Sequence, residues 1–254
     1  MRKAVITLLI LLLTGILVFT SYMAIKEVRE YKEAVQLYEE LQEEFVETKP
    51  AEDTKPDETL EQTEPVEVEP ITVDFTSLLE QNSDIVGWIY CPDTPINYPV
   101  VQAEDNDRYL RRDLNGKYLV SGTVFVDYRN GEIGEDENYI VYGHNMKDGS
   151  MFSSLAKYKE QSHYDEHPVL YFLTPSGDYK IELYAGIVVK RDALIYVPNP
   201  DEAEFAEFLR NAKERSTFKS NVEMTENKTL ITLSTCSYEY DHARYIVIGK
   251  LSRV

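Results

Sequence analysis

Residues 232–244 read TLSTCSYEYDHAR and join two apolar runs, TLITLSTC at 229–236 and RYIVIGKL at 244–251. Both runs are rich in β-branched and aromatic residues, so we predict that both are strands. The short polar loop between them would make the two strands antiparallel neighbours, about 4.8 Å apart. This hairpin would place Arg244, which begins the second strand, beside Cys236, which ends the first.

Six further runs of the same kind precede the hairpin. The first begins near Val86, and the others are INYPVVQ (96–102), GTVFVDY (122–128), NYIVYG (138–143), VLYFLT (169–174) and YKIELYAGIVV (179–189). Two helical segments, SMFSSLAKY and DEAEFAEFLRNAKERS, interrupt the series. About eight strands with few long helices indicate a mainly β fold and a closed or nearly closed β-barrel.

Residues 1–25 are predicted to form a transmembrane anchor. Residues 4–25 contain no charge, and at about 1.5 Å per residue they can span a hydrocarbon core of roughly 30 Å. A cleaved signal peptide is the rival interpretation, but TSYMAIKEVRE offers no convincing small-x-small cleavage site. Arg2 and Lys3 precede the apolar run and acidic residues follow it, so the N-terminus is expected in the cytoplasm and the rest outside the cell membrane.

Two segments separate this anchor from the predicted domain at 72–254. Residues 26–47 carry an apolar stripe and predict an amphipathic stalk helix. With only about three heptads, packing on its own domain is favoured over a dimerising coil. Residues 48–71 form an acidic, proline-rich linker. The stripe consists of Val28, Tyr31, Val35, Tyr38, Leu41 and Phe45.

The charge of the chain bears on its partners. The formal net charge is −19, and the part from residue 71 onward is itself strongly acidic, which argues against a nucleic-acid partner. The acidic residues of DNDRYLRRD and DENYI lack the ligand spacing of a dedicated calcium loop. We therefore expect neither a metal nor another cofactor.

The two cysteines, Cys91 and Cys236, differ in their surroundings. A disulfide between them has to be considered in an extracytoplasmic chain. Cys91 lies in GWIYCPDTP, before a turn and without a titratable neighbour, and is interpreted as a packing residue. Cys236 has Arg244 beside it, and a cysteine nucleophile needs a positive neighbour or a base because a free thiol is mostly protonated at neutral pH.

An arginine supplies charge but cannot accept a proton, so the base must be a histidine. His163 and His167 lie in the polar connection QSHYDEHPVL and are expected to be solvated loop residues. His242 lies on the loop after the cysteine, and His144 ends the strand NYIVYG. Spacing alone favours His144 only slightly, and both remain candidates.

A series of segments occurs in order with the histidine, cysteine and arginine in place: GWI with INYPVVQAEDNDRYLRRD, GTVFVDYRN, NYIVYGHNMKDGSMFSSLAKY, EFAEFLRNAKERS and TLSTCSYEYDHARYIVIGKL. Together they resemble class B sortases, which are membrane-anchored cysteine transpeptidases of Gram-positive bacteria. The resemblance implies a sortase-type closed eight-stranded β-barrel with N-terminal helices. It also implies an extra helix between strands 6 and 7.

The resemblance assigns roles by position. Cys236 matches the nucleophile, His144 the acid and base, and Arg244 the arginine that holds the substrate and stabilises the oxyanion. The implied reaction cleaves a sorting motif after threonine in a surface protein. It forms a thioacyl intermediate and transfers it to an amine of cell-wall peptide or a pilin subunit. The implied substrate-binding residues are Asn106, Leu110, Tyr196 and Ser234.

Two other functions stay open. An L,D-transpeptidase also uses cysteine, histidine and arginine, but its cysteine and arginine lie closer in sequence than the eight-residue step from Cys236 to Arg244. The alternative without catalysis is a membrane-anchored barrel that binds cell wall, with Cys236 as an inert strand-end residue.

Overall fold

The computed structural model of the protein describes residues 2–48, 71–224 and 229–254. Two 3-10 helices cover Phe152–Lys159 and Leu194–Tyr196. In chain order the other elements are α1 (Arg2–Phe45), β1 (Val46–Glu47), β2 (Thr72–Val73), α2 (Phe75–Gln81), β3 (Ile85–Tyr90), β4 (Asn97–Val101), β5 (Val124–Val126), β6 (Asn138–Tyr142), α3 (Gln161–Glu166), β7 (Val169–Thr174), β8 (Gly177–Lys190), α4 (Glu202–Glu214), β9 (Leu230–Cys236) and β10 (Ala243–Arg253).

Eight strands, β3 to β10, close into a barrel in the order β10-β8-β7-β3-β4-β5-β6-β9. The pairs β4–β5 and β6–β9 are parallel, and the other neighbours are antiparallel. The predicted closed eight-stranded barrel is therefore confirmed. Strand β9 lies between β10, which is antiparallel to it, and β6, which is parallel to it. The C-terminal ends of β6 and β9 and the N-terminal end of β10 therefore lie at one edge of the barrel.

Side-chain alternation divides the apolar residues of the strands between two clusters. Tyr245 and Val247 of β10 belong to the main core, whereas Ile246 and Ile248 belong to a second cluster. Phe205 of α4 completes that second cluster. Helix α4 is thus the predicted extra helix between the sixth and seventh barrel strands, and it covers an outer face of the barrel.

The C-terminal half of α1 packs on the barrel. Its buried residues are Ala34, Tyr38, Leu41 and Phe45. The Tyr38 hydroxyl donates to the carbonyl of Gly122, and its ring meets that of Tyr98 edge-on, with centroids 5.1 Å apart. The predicted stripe was wrong at Val28 and Val35, which are 57% and 38% exposed. Ala34 is buried at the contact between α1 and the barrel instead, and its small side chain permits close approach of the helix.

Helix α1 also contains the predicted anchor. Within the described residues, it is the one helix long and apolar enough to cross a membrane, with a mean hydropathy of 2.6 over its most apolar window. The predicted linker at 48–71 lies almost wholly outside the described residues. Its two flanks meet, because Val46 of β1 pairs with Val73 of β2.

Candidate active site

Cys236 and Arg244 lie directly opposite each other on β9 and β10. Antiparallel pairing puts the side chains of such a pair on the same face of the sheet. The connecting loop is held at its base, where the backbone N–H of Ser237 donates to the carbonyl of Ala243 at 3.0 Å. The strand pairing that the hairpin predicted, with Arg244 opposite Cys236, is therefore present.

His144 reaches the same edge of the barrel on the neighbouring strand. Tyr142 of β6 pairs in parallel with Ser234 of β9, so His144 and Cys236 each lie two residues beyond a paired position. Just after β6, the backbone N–H of Gly143 donates to the carbonyl of Ser234 at 3.1 Å, and the side chain of Asn145 donates from Nδ2 to the carbonyl of Cys236 at 2.8 Å. These contacts place His144 and Cys236 at adjoining strand ends.

The imidazole of His144 is half-buried and oriented by a backbone contact. Its Nε2 lies 2.7 Å from the carbonyl oxygen of Leu110. A carbonyl only accepts hydrogen bonds, so Nε2 carries the hydrogen and Nδ1 is the acceptor of the neutral ring. Burial lowers the pKa of His144, the Leu110 contact opposes this shift, and the charges of Arg111 and Arg244 lower the pKa further. The ring is thus poised as a neutral base.

Arg244 keeps most of its hydrogen-bonding capacity free. Its Nη1 donates to the carbonyl of Ala243 at 3.1 Å, while a guanidinium has five N–H donors. No ion pair among residues 2–48, 71–224 and 229–254 uses Arg244. The side chain can therefore donate to an anion beside Cys236.

The four candidate substrate-binding residues have different surroundings. The hydroxyl groups of Tyr196 and Ser234 lie 2.8 Å apart, and both residues are buried. Burial raises the pKa of Tyr196 to about 12, so its phenol is protonated. Leu110 is 36% exposed and orients His144 through its carbonyl. Asn106 is half-buried, and its Nδ2 donates to Asp127 at 3.1 Å.

Sequence reasoning missed Asp127, Arg129 and Tyr142, which connect several of these candidates. Asp127 is fully buried. It accepts hydrogen bonds from Arg129, Tyr142 and Asn106. The available signal was DYR at the end of the predicted strand run GTVFVDY, where an acid precedes an arginine by two residues. Its partners could not be identified from sequence because they come from separate segments.

The other histidines lie elsewhere. His163 and His167 were expected to be solvated, which was wrong, because α3 packs their rings 4.7 Å apart and places His163 against Tyr158 at 4.6 Å. Burial, and then the neighbouring His167, lower the pKa of His163. His242 is exposed in left-handed backbone with φ of 61°.

Cys91 is a buried packing residue, as predicted. Its Sγ lies 3.7 Å from the Tyr158 hydroxyl and 3.8 Å from the carbonyl of Val169. Burial raises the pKa of this thiol. Both Cys91 and Cys236 are free thiols. In the part of the chain that the structure describes, no group of three or more histidine, cysteine or acidic residues is arranged to hold a metal ion.

Comparison with known proteins bears on the family. A family model described as Sortase domain matches residues 89–252. The chain is 37% identical over 182 residues to sortase B of Listeria monocytogenes, covering 70% of this chain and 74% of that protein. It is 30% identical over 257 residues to sortase B of Staphylococcus aureus, covering 99% and 98%.

Solved structures of sortase B are also similar to this chain. A Staphylococcus aureus sortase B–substrate complex matches with a TM-score of 0.67 and 32% identity, over 71% of this chain and 85% of that chain. A sortase B complexed with triglycine matches with a TM-score of 0.66 and 32% identity, over 71% and 86%.

Proposed function

The chain belongs to the class B sortases, which are cysteine transpeptidases, and from this premise we propose that Cys236, His144 and Arg244 are its catalytic residues. The strand register carries the proposal. Cys236 faces Arg244 across the β9–β10 hairpin, and the hydrogen bond from Asn145 to the Cys236 carbonyl keeps His144 at the adjoining strand end. Family membership is not compatible with an L,D-transpeptidase or a non-catalytic wall-binding barrel.

In the first half of the reaction, neutral His144 takes the proton of the Cys236 thiol, and the thiolate so formed attacks the carbonyl carbon of threonine in the sorting motif of a surface protein. The carbonyl electron pair moves onto oxygen and gives a tetrahedral intermediate. As this intermediate collapses, the C–N bond breaks, and protonated His144 gives its proton to the leaving amine. A thioester on Cys236 remains, and the single amide exchange has been divided into two easier steps.

In the second half, an amine attacks the thioester carbon and loses a proton to neutral His144. The C–S bond breaks, the new amide forms, and the Cys236 thiolate returns. The low pKa of His144 suits this step, because a neutral ring is needed to accept the proton. The acceptor is an amine of cell-wall peptide or of a pilin subunit; the triglycine complex of a related sortase B supports a short peptide amine.

Arg244 stabilises the oxyanion of both tetrahedral intermediates. Its charge is fixed opposite Cys236, and its remaining N–H donors can reach an oxygen on the carbon bonded to Sγ. Such donors contribute most where water is excluded. Asn106, Leu110, Tyr196 and Ser234 form the groove that receives the peptide. The substrate complex of a related sortase B supports substrate binding by this chain.

We further propose a single-pass topology in which the N-terminus is cytoplasmic and the catalytic domain is extracellular. Helix α1 runs unbroken from the apolar span into the domain. Lys147, three residues after His144, lies 3.5 Å from Glu27, only two residues beyond the end of the span at Ile25. At about 1.5 Å per residue, this contact is about 3 Å along the helix from that end. The active site thus lies close to the outer membrane surface. Protease digestion of intact cells should remove the domain; protection of the domain would contradict this topology.

The catalytic assignment is tested with the full-length chain in detergent, since α1 supplies buried residues to the domain. Peptides of the Asn-Pro-x-Thr and Ser-Pro-x-Thr types are incubated with triglycine, and cleaved and transferred products are measured. Cys236→Ala and His144→Ala should abolish both products. Cys91→Ala, the matched control, should retain them. Transfer by the Cys236→Ala variant would overturn the proposal.

A further inference from the structure

An ion pair joins Asp127, whose side chain is fully buried, to Arg129, whose side chain is 42% exposed. Asp127 lies directly after β5. Arg129 grips it with two hydrogen bonds, from Nε to Oδ1 at 2.7 Å and from Nη2 to Oδ2 at 2.8 Å. Burial acts to raise the pKa of Asp127, but the hydrogen bonds from Arg129 and other donors outweigh it and lower the pKa. The carboxylate therefore stays ionised inside the protein.

The same carboxylate fixes the amide of Asn106. Asn106 Nδ2 donates to Asp127 Oδ2 at 3.1 Å, and Asn106 Oδ1 accepts from the backbone N–H of Tyr128 at 3.0 Å. Both ends of the amide are thereby held. An asparagine amide has two N–H donors, and the contact with Asp127 uses one of them. The other can serve a ligand in the groove.

The pair also fixes Tyr196 from two sides. Arg129 Nη2 donates to the backbone carbonyl of Tyr196 at 2.8 Å. Tyr142 donates from its hydroxyl to Asp127 Oδ2 at 2.8 Å, and its ring stacks on that of Tyr196 with centroids 6.0 Å apart. The Tyr196 hydroxyl is in turn hydrogen-bonded to the Ser234 hydroxyl, with the two oxygens 2.8 Å apart. A continuous chain of contacts thus joins Asp127 to a residue two positions before Cys236.

We propose that Asp127 and Arg129 are positioning residues for peptide recognition, which hold Asn106 and Tyr196 in the geometry that binds the sorting motif. This inference rests on the proposed function, because it takes the groove as the peptide site. Neither residue acts on the thiol. The buried Asp127 carboxylate accepts hydrogen bonds from Arg129, Tyr142 and Asn106, so removing its charge weakens three charge-assisted contacts at once and releases Asn106 and Tyr196 from this geometry.

The protein contains a matched control for a role in stability alone. Asp136 is also a buried carboxylate, and it accepts from Asn130 Nδ2 at 2.8 Å and from Asn199 Nδ2 at 2.5 Å. Its donors, the side chains of Asn130 and Asn199 and the backbone N–H of Gly131, include none of the four candidate groove residues. Asp136→Asn should therefore perturb a buried network without changing peptide recognition.

The experiment uses the full-length chain in detergent and compares Asp127→Asn, Arg129→Lys and Asp136→Asn. KM and kcat are measured with the best peptide of the panel, the alkylation rate of Cys236 with iodoacetamide, and Tm by thermal unfolding. We expect Asp127→Asn to raise KM about tenfold or more, while kcat and the alkylation rate change less than about threefold, the pattern of lost binding. Arg129→Lys keeps the positive charge but loses the bidentate contact with Asp127, so KM should rise less in this variant than in Asp127→Asn.

Two outcomes would overturn the inference. An unchanged KM in Asp127→Asn, with a fall in Tm like that of Asp136→Asn, would reduce the pair to a stabilising element. A loss of kcat and of alkylation at constant KM would mean that the pair acts on the nucleophile. If Asp127→Asn does not fold, Arg129→Lys supplies the same comparison.

A binding measurement separates this inference from the proposed chemistry. In a Cys236→Ala background, fluorescently labelled peptide is titrated and its Kd is read by anisotropy. Asp127→Asn should weaken Kd in parallel with its effect on KM, whatever the mechanism of cleavage. An unaltered Kd contradicts the positioning role, whereas binding without any turnover by the unsubstituted chain contradicts the proposed function instead.

Discussion

Replacing Arg244 by glutamine removes the fixed positive charge beside Cys236 but keeps a side chain that can donate a hydrogen bond. The two residues are directly paired in the hairpin, so their side chains share one face of the sheet, and we take the guanidinium to come within about 5 Å of the developing oxyanion. Opposite unit charges about 5 Å apart attract by about 3 kcal/mol at an effective dielectric constant of about 20. Arg244 is only half-buried, so we expect a loss of about 2 to 3 kcal/mol at the transition state.

That loss corresponds to a fall of about 30- to 150-fold in kcat/KM. It should be measured with the full-length chain and the best peptide, beside Arg244→Lys, which keeps the charge and should lose less. Stability should change by less than about 1 kcal/mol, because the side chain contributes one hydrogen bond to the adjacent Ala243 carbonyl. If Arg244→Gln retained a third or more of kcat/KM at unchanged Tm, oxyanion stabilisation by this arginine would be refuted.

The pKa of His144 should lie below its ordinary value of 6.5, because burial disfavours the imidazolium. NMR titration of ring-labelled histidine measures this pKa, and a value above 6.5 would contradict the prediction. Since the unfolded chain then binds more protons than the folded chain near pH 6, His144 makes the free energy of unfolding decrease as pH falls through 6.5. Tyr38→Ala should lower the free energy of unfolding by about 3 to 5 kcal/mol in denaturant titrations. The substitution removes a buried aromatic ring from the contact between α1 and the barrel. A loss under about 1 kcal/mol would mean that α1 is not part of the folded domain. The pKa of Glu239 is lowered to about 2, first by Lys159 and then by Ser237. The ionised carboxylate therefore stabilises the folded chain above pH 4.5, and this contribution is lost as the pH falls towards 2. Its side chain is 39% exposed, so Glu239→Gln should cost no more than about 1 kcal/mol at neutral pH and should flatten the acid limb of the unfolding curve; an unchanged acid limb would show that the Lys159 pair does not contribute.

The hairpin and the strand runs could be predicted because their signals are local. Alternating apolar residues between turn residues define each strand, and the loop from 237 to 242 is short enough to make β9 and β10 partners. The opposition of Cys236 and Arg244 followed directly. The parallel pairing of β6 with β9 did not, since it joins segments about 90 residues apart. Spacing favoured His144 over His242 only slightly, and the family resemblance decided between them.

The groove was the least predictable part. Asp127 gathers Asn106, Arg129 and Tyr142 through contacts whose partners lie on different segments, and no local pattern marks a carboxylate as buried. The stalk was predicted as an amphipathic helix, but the choice between Ala34 and Val35 as the contact depends on how closely α1 approaches the barrel. His163 and His167 were misassigned for a similar reason, because a polar segment was packed by α3 against Tyr158.

The thioester on Cys236 is tested most directly by intact-mass measurement of the full-length chain mixed with excess sorting-motif peptide and no amine acceptor, quenched in acid within one turnover. We expect a mass increase equal to the acyl fragment ending in threonine. The increase should map to Cys236 after digestion, be released by hydroxylamine, and be absent from Cys236→Ala but present in Cys91→Ala. Peptide cleavage without any adduct, or an adduct on a residue other than Cys236, would contradict this expectation.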